Sequence, residues 1–150
     1  MLTMTELFDY LTEQKADFTI IPHPKPIQSL QDAAEYFEPQ KSVPTFILDD
    51  GVGLIALFSS SGRGRLDLKR IAEKLNISRL NMADRRKIFK LTGYEAGGIP
   101  LIGLSLPCIF DGRLRTFDYI YGGSGNPLHT LKICPLDVKR LNDVRWVLDD

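Results

Sequence analysis

Between Gly93 and Gly103 the chain carries four glycines in eleven residues. Such a run is entropically costly unless the backbone must turn sharply or come close to something else. It divides the chain into two unlike parts. Ahead of it, helical spacing alternates with short apolar runs. Met4, Leu7, Phe8 and Leu11 line one face of a helix over residues 3–14, with Thr3 or Thr5 able to cap it. Phe18–Ile21 is β-branched and aromatic and stops at Pro22-His23-Pro24, which reads as a strand entering a rigid loop. Ser29 opens a helix whose Leu30, Ala33, Ala34 and Phe37 share a face until Pro39. Thr45–Leu48 and Leu54–Phe58 flank Asp49-Asp50-Gly51, a hairpin signal. Leu68, Ile71, Ala72 and Leu75 mark a further helix between Arg65 and Asn76, and a short one covers 84–91 with Ile88 and Leu91 inward.

After the glycines come short strands around 106–110, 115–121 and 128–133, punctuated by Asp111-Gly112 and Gly122-Gly123-Ser124-Gly125. Pro135 then starts a helix with Val138 and Leu141 inward. Helices and strands first, then strands in succession, predict an α+β chain with a mixed sheet rather than a doubly wound parallel one. At 150 residues, with no internal repeat or low-complexity linker, one domain is expected.

The 19 basic and 19 acidic side chains cancel, which argues against a protein that coats nucleic acid through phosphate contacts alone. A local positive stretch survives: Arg63, Arg65, Lys69 and Arg70, followed by Arg85, Arg86, Lys87 and Lys90. Cys108 and Cys134 lie far apart without a C-x-x-C or a flanking histidine, so reduced thiols and no metal are expected. No apolar run approaches the ~18 residues that span a bilayer. Glu6 and Asp9 interrupt the N-terminal apolar stretch, which argues against a secretory signal and for a cytoplasmic protein.

The glycine loop can offer backbone groups directly to a ligand, but it has no Gly-Lys-Ser/Thr ending and does not fit the dinucleotide fingerprint. His129 follows the second glycine bend. Both His129 and His23 read equally as structural histidines or as site residues. Ser59-Ser60-Ser61-Gly62 lacks the G-x-S-x-G elbow, and the aspartates fall mostly in turns, so neither a serine triad nor a carboxylate dyad is supported.

Pro22-His23, Ala33-Ala34, Arg65–Lys69, Leu91–Gly98, Asp111, and Gly122-Gly123 leading to Leu128-His129 resemble, in order and spacing, the YbaK/EbsC family. That family includes the editing domain inserted in bacterial prolyl-tRNA synthetases, and the match runs over nearly the whole chain. The resemblance implies a single domain over residues 1–150 with a mixed, barrel-like sheet flanked by helices. It implies a pocket for the aminoacyl end of tRNA with no metal or organic cofactor. Water attacks the ester there, positioned by the backbone of a G-x-x-x-P loop and by the terminal ribose hydroxyl of the tRNA.

Carried over by residue, the loop is Gly97, Gly98, Ile99, Pro100 and Leu101, with Leu101 where the family has its last proline. A family lysine ahead of an apolar strand falls on Pro44, beside Thr45, and Lys41 is the ammonium that would have to replace it. His129 joins these at the reacting centre. His23, Thr45, Asp111, Gly122 and Gly123 are expected around the substrate, and Arg63, Arg65, Lys69 and Arg70 at the pocket mouth against tRNA phosphates. The implied partners are an aminoacyl-tRNA and an aminoacyl-tRNA synthetase, with no DNA and no membrane. Three functions stay open: a deacylase acting in trans on a small mischarged amino acid; a non-catalytic member that binds tRNA, an aminoacyl or nucleotide-like ligand, or a synthetase; and a ligand-sensing module without RNA.

Overall fold

The computed structural model describes residues 1–149. The chain begins with α1 (Met4–Glu13), β1 (Phe18–Pro22) and the single turn α2 (Leu30–Ala33), followed by β2 (Thr45–Asp49), β3 (Leu54–Phe58) and α3 (Leu68–Leu75). Then come β4 (Asn81–Met82), α4 (Arg85–Thr92), β5 (Pro107–Asp111), β6 (Ile120–Gly123), β7 (His129–Ile133), α5 (Pro135–Leu141) and β8 (Asp143–Leu148). At the head of α1, the Thr3 hydroxyl accepts from the Glu6 N–H while the Glu6 carboxylate accepts from the Thr3 N–H, so two orphan helix donors are satisfied reciprocally.

The strands form two sheets. One is antiparallel, in the order β1-β7-β6; the other is mixed, in the order β4-β2-β3-β5-β8, with β3, β5 and β8 parallel. The mixed α/β architecture is as the residues predict, but the barrel-like closure is not: the sheets remain open and separate. They are joined near one end by a bridge between Ser42 and Tyr121 and by the Val43 N–H donating to the Tyr121 carbonyl at 2.8 Å.

Every residue of β3 is buried, which explains its unbroken apolar run: a central strand covered on both faces does not alternate. Leu54, Ala56 and Phe58 face a core shared with Leu7 and Leu11 of α1, Leu131 and Ile133 of β7, and Val138 of α5. Ile55 and Leu57 face a second core with Ile71 and Ala72 of α3.

Three expectations differ from the structure, and one strand was not expected. The helix opened by Ser29 lasts one turn and does not reach Phe37. Leu91 is 58% exposed and only Ile88 of α4 is buried, because the αL residue Gly93 ends that helix after two turns. Residues 112–116 form a 3₁₀ turn instead of the start of a strand, since the Asp111 carboxylate caps it by accepting from the Arg113 N–H. The last strand, β8, carries polar residues at alternate positions and gives a weak pattern, yet it pairs along β5.

Asp111 ties the carboxyl ends of the parallel strands together. Fully buried at the end of β5, it accepts from the Ser60 N–H at 2.7 Å, from the Arg63 guanidinium at 2.6 and 2.8 Å, and from the Arg113 N–H at 2.9 Å. Arg63 also donates to the Leu148 carbonyl at the end of β8. Asp111→Ala would leave the Arg63 guanidinium without its carboxylate and the buried Ser60 N–H without an acceptor, so it should destabilise the fold by about 3–5 kcal/mol. Urea unfolding measures this; a loss below about 1 kcal/mol would contradict a structural role for the carboxylate.

Candidate functional site

The two sheets meet where β2 begins, β6 ends and β7 begins, and the 96–99 loop lies over this junction beneath the chain running into α2. A cavity of about 360 Å³ opens there, lined mainly by apolar groups. Its backbone geometry depends on small residues. The Leu101 N–H donates to the Gly123 carbonyl at 2.9 Å, which draws the loop onto β6. A Cβ on Gly123 would overlap the Ile99 carbonyl, one on Gly122 would overlap the Leu101 side chain, and one on Gly97 would lie 2.7 Å from the Gln28 carbonyl oxygen. Glycine is therefore required at these positions by close approach.

Thr45 and His129 both line this cavity, and Thr45 Oγ1 and His129 Nδ1 are shielded from solvent without a hydrogen-bond partner among the described residues. An unmet buried polar group costs about 1–3 kcal/mol, and two beside one cavity, on β2 of one sheet and β7 of the other, make it the candidate ligand site. His129 is held by its backbone: its N–H donates to Asn126, and its carbonyl accepts from the Ser124 hydroxyl at 2.6 Å.

The expected site residues divide. Gly97, Gly98, Ile99, Thr45, Gly122, Gly123 and His129 line one cavity. Pro100 and Leu101 are buried behind it, Leu101 completely, so the last loop position serves packing against β6. His23 lies behind the wall as well. Its Nδ1 is 2.7 Å from the Lys25 carbonyl, which can only accept, so that nitrogen carries the proton; in the neutral ring Nε2 then accepts from the Thr130 hydroxyl at 3.0 Å. With Tyr36 stacked on the ring at 5.4 Å, His23 orients Thr130, which itself lines the cavity.

Lys41 is outside the lining. Its ammonium lies 3.4 Å from the Asp118 carboxylate and 4.2 Å over the Tyr119 ring. Burial pulls its pKa down, but the hydrogen bond and charge of Asp118 outweigh that and hold it above the ordinary lysine value. Asp111 and Arg63 belong to the buried tie at the strand ends. Arg65 and Arg70 line a second cleft that shares no lining residue with the first cavity, and Lys69 lines neither. None of the four lines the first cavity: Lys69 and Arg70 sit on α3, which packs on the Ile55 and Leu57 face of the five-stranded sheet, and Arg63 and Arg65 precede it.

Several wall residues were not singled out from the sequence. Phe37 and Tyr121 stack at 4.4 Å and line the cavity with Ser42 and Thr130. Phe37 was read as a core position of a helix, and Tyr121 as an ordinary strand residue; no local pattern separates such roles. Among the described residues no group of three or more His, Cys, Asp or Glu is placed to hold a metal.

The glycines give a direct contrast. Gly98 has ordinary space for a methyl, the nearest atom being 3.8 Å away, whereas Gly123 has none. Gly123→Ala should cost about 1–3 kcal/mol and displace the loop, while Gly98→Ala should leave the melting temperature unchanged within about 2 °C. Equal effects of the two substitutions on thermal melts would show that the seam does not depend on close approach.

The family model for the aminoacyl-tRNA editing domain matches residues 24–141. Among solved structures, the fold is similar to the hypothetical protein APE2540, at 22% identity and TM-score 0.83 over 95% of this chain and 97% of that one. It is also similar to a candidate trans-editing enzyme for prolyl-tRNA synthetase, at 22% identity and TM-score 0.79 over 99% and 98% of the two chains. A candidate signal transduction protein from Marinobacter aquaeolei matches at 16% identity and TM-score 0.65 over 99% of this chain but 30% of its own. With the family model spanning most of its length, this chain belongs to the aminoacyl-tRNA editing domain family.

Proposed function

We propose that the protein is an aminoacyl-tRNA deacylase acting in trans in the cytoplasm. Water adds to the ester carbonyl carbon, the bond from that carbon to the terminal ribose oxygen breaks, and a proton passes to that oxygen. The products are a free amino acid and an uncharged tRNA. The observation that carries this reading is that Thr45 and His129, whose Oγ1 and Nδ1 have no hydrogen-bond partner among the described residues, both line an apolar cavity walled by the Gly97–Ile99 loop. A volume of about 360 Å³ is at the small end of the range for small-molecule sites, which suits an aminoacyl group with its ribose.

The loop's N–H groups at Gly98 and Leu101 are committed to the Glu95 and Gly123 carbonyls. The amides of Gly97 and Ile99 are then the donors it can offer to the ester or its tetrahedral intermediate. Thr45 and His129 supply the side-chain hydrogen bonds, and with no carboxylate or lysine in the wall among the described residues the reaction relies on positioning and on the substrate's own ribose hydroxyl. The likeness to a candidate trans-editing enzyme for prolyl-tRNA synthetase makes tRNA charged by that synthetase the first substrate to test, and the synthetase a partner to test.

One observation favours a second reading, a member that binds the aminoacyl end without hydrolysing it. No lysine or arginine lines the cavity among the described residues, because Pro44 occupies the wall and Lys41 is engaged by Asp118.

Deacylation of a panel of mischarged tRNAs separates the two. Wild-type protein should release the amino acid from at least one of them well above the spontaneous rate. Thr45→Val and His129→Ala, each losing a contact of about 1.5–3 kcal/mol, should slow release by roughly 10–100-fold without lowering the melting temperature. Tight binding of a mischarged tRNA without release would replace the first reading by the second.

A further inference from the structure

The cleft of about 410 Å³ at the carboxyl ends of β3, β5 and β8 is unlike the first cavity in its charge. Arg63, Arg65, Arg70, Lys74 and Arg113 line it, against one carboxylate, Asp67. That carboxylate is engaged as the N-cap of α3, accepting from the Arg70 N–H. Arg63 is fixed on buried Asp111 and forms part of the wall. Arg65 and Arg70 make no ion pair with any described residue. Arg63 is balanced by Asp111, so the uncompensated charge of this concave surface rests on Arg65 and Arg70, two guanidiniums on one wall that an entering anion would stabilise.

The two concavities are linked through a short stretch of backbone. Thr45 in the first cavity pairs with Phe58 at the end of β3, and the next N–H, Ser59, donates to the carbonyl of Pro44, another wall residue. Ser60 then donates to Asp111, and the following turn, Ser61–Arg63, brings Arg63 to the cleft. Arg63 follows Phe58 by five positions, so their Cα atoms lie no more than about 18 Å apart.

We propose that this cleft is a phosphate site for the RNA whose aminoacyl end enters the first cavity, contacting phosphates near the charged terminus. The inference rests on the tRNA reading above. Arg65 and Arg70 are its principal contacts, with Lys74 and Arg113 on the rim and Arg63 held as scaffold. Lys69 is not part of it.

The test uses an uncharged acceptor-stem RNA hairpin ending in CCA, bound to the full chain between about 50 and 200 mM salt, so that no hydrolysis is involved. Arg65→Glu with Arg70→Glu should weaken binding at least about tenfold and reduce the salt slope by about two, at an unchanged melting temperature. Arg65→Lys with Arg70→Lys should retain most of the affinity. Hairpin affinity and slope that ignore the reversal would overturn the proposal. If phosphorus NMR shows inorganic phosphate bound and lost on reversal while the hairpin is unaffected, the cleft serves small anions and the RNA assignment falls. If hairpin binding responds as expected but no mischarged tRNA is hydrolysed, the cleft stands and the deacylase reading falls.

Discussion

A backbone contact with no side chain in the way, the Leu101 N–H on the Gly123 carbonyl, holds the site together. The glycine-rich loop can reach β6 because Gly122 and Gly123 present no Cβ, and the same approach leaves the Gly97–Ile99 backbone as a wall of the cavity. Leu101 fills the space beside Gly122 from the protein side, so the loop is anchored by a fully buried side chain. The sheets need not close into a barrel for the site to form. They need this seam and the Ser42–Tyr121 bridge, and the cavity lies between the two contacts.

Much of this was legible in the residues. The hairpin of β2 and β3 is set by two apolar runs about an Asp-Gly turn, and it forms in register from Thr45–Phe58 to Asp49–Leu54. The two glycine clusters were recognisable as places where backbone must approach something, and they approach each other. What single residues do inside the cavity was less legible, because it depends on partners remote in sequence. His23 and His129 looked alike, yet Thr130, more than a hundred positions from His23, satisfies one ring while His129 Nδ1 is left without a partner. Lys41 was placed by its spacing from Pro44, and Asp118 with Tyr119 holds it outside the cavity. The strand β8 was missed because a half-exposed edge strand of mixed polarity carries little periodic signal.

The molecule separates two kinds of chemistry along one short segment. On one side of Ser59 and Ser60 the surroundings are apolar, with polar groups few and specifically placed; on the other they are cationic. Low polarity around an ester strengthens each hydrogen bond offered to it, whereas charge near an RNA backbone gives affinity without sequence information. Zero net charge for the whole chain is compatible with this arrangement because most acidic residues lie elsewhere, some of them capping helices and turns, as Asp84 and Asp50 do.

The account turns on the first cavity accepting the aminoacyl end of tRNA. Amide chemical-shift mapping with a non-hydrolysable amide analogue of a 3′-aminoacylated adenosine tests this without requiring turnover. The account predicts saturable shifts at Gly97, Gly98, Ile99, Gly122, Gly123, Thr45 and His129, and a weaker response when His129 is replaced by alanine. Saturable shifts confined to residues away from this cavity, or no shifts at millimolar analogue across the aminoacyl groups tested, would contradict it.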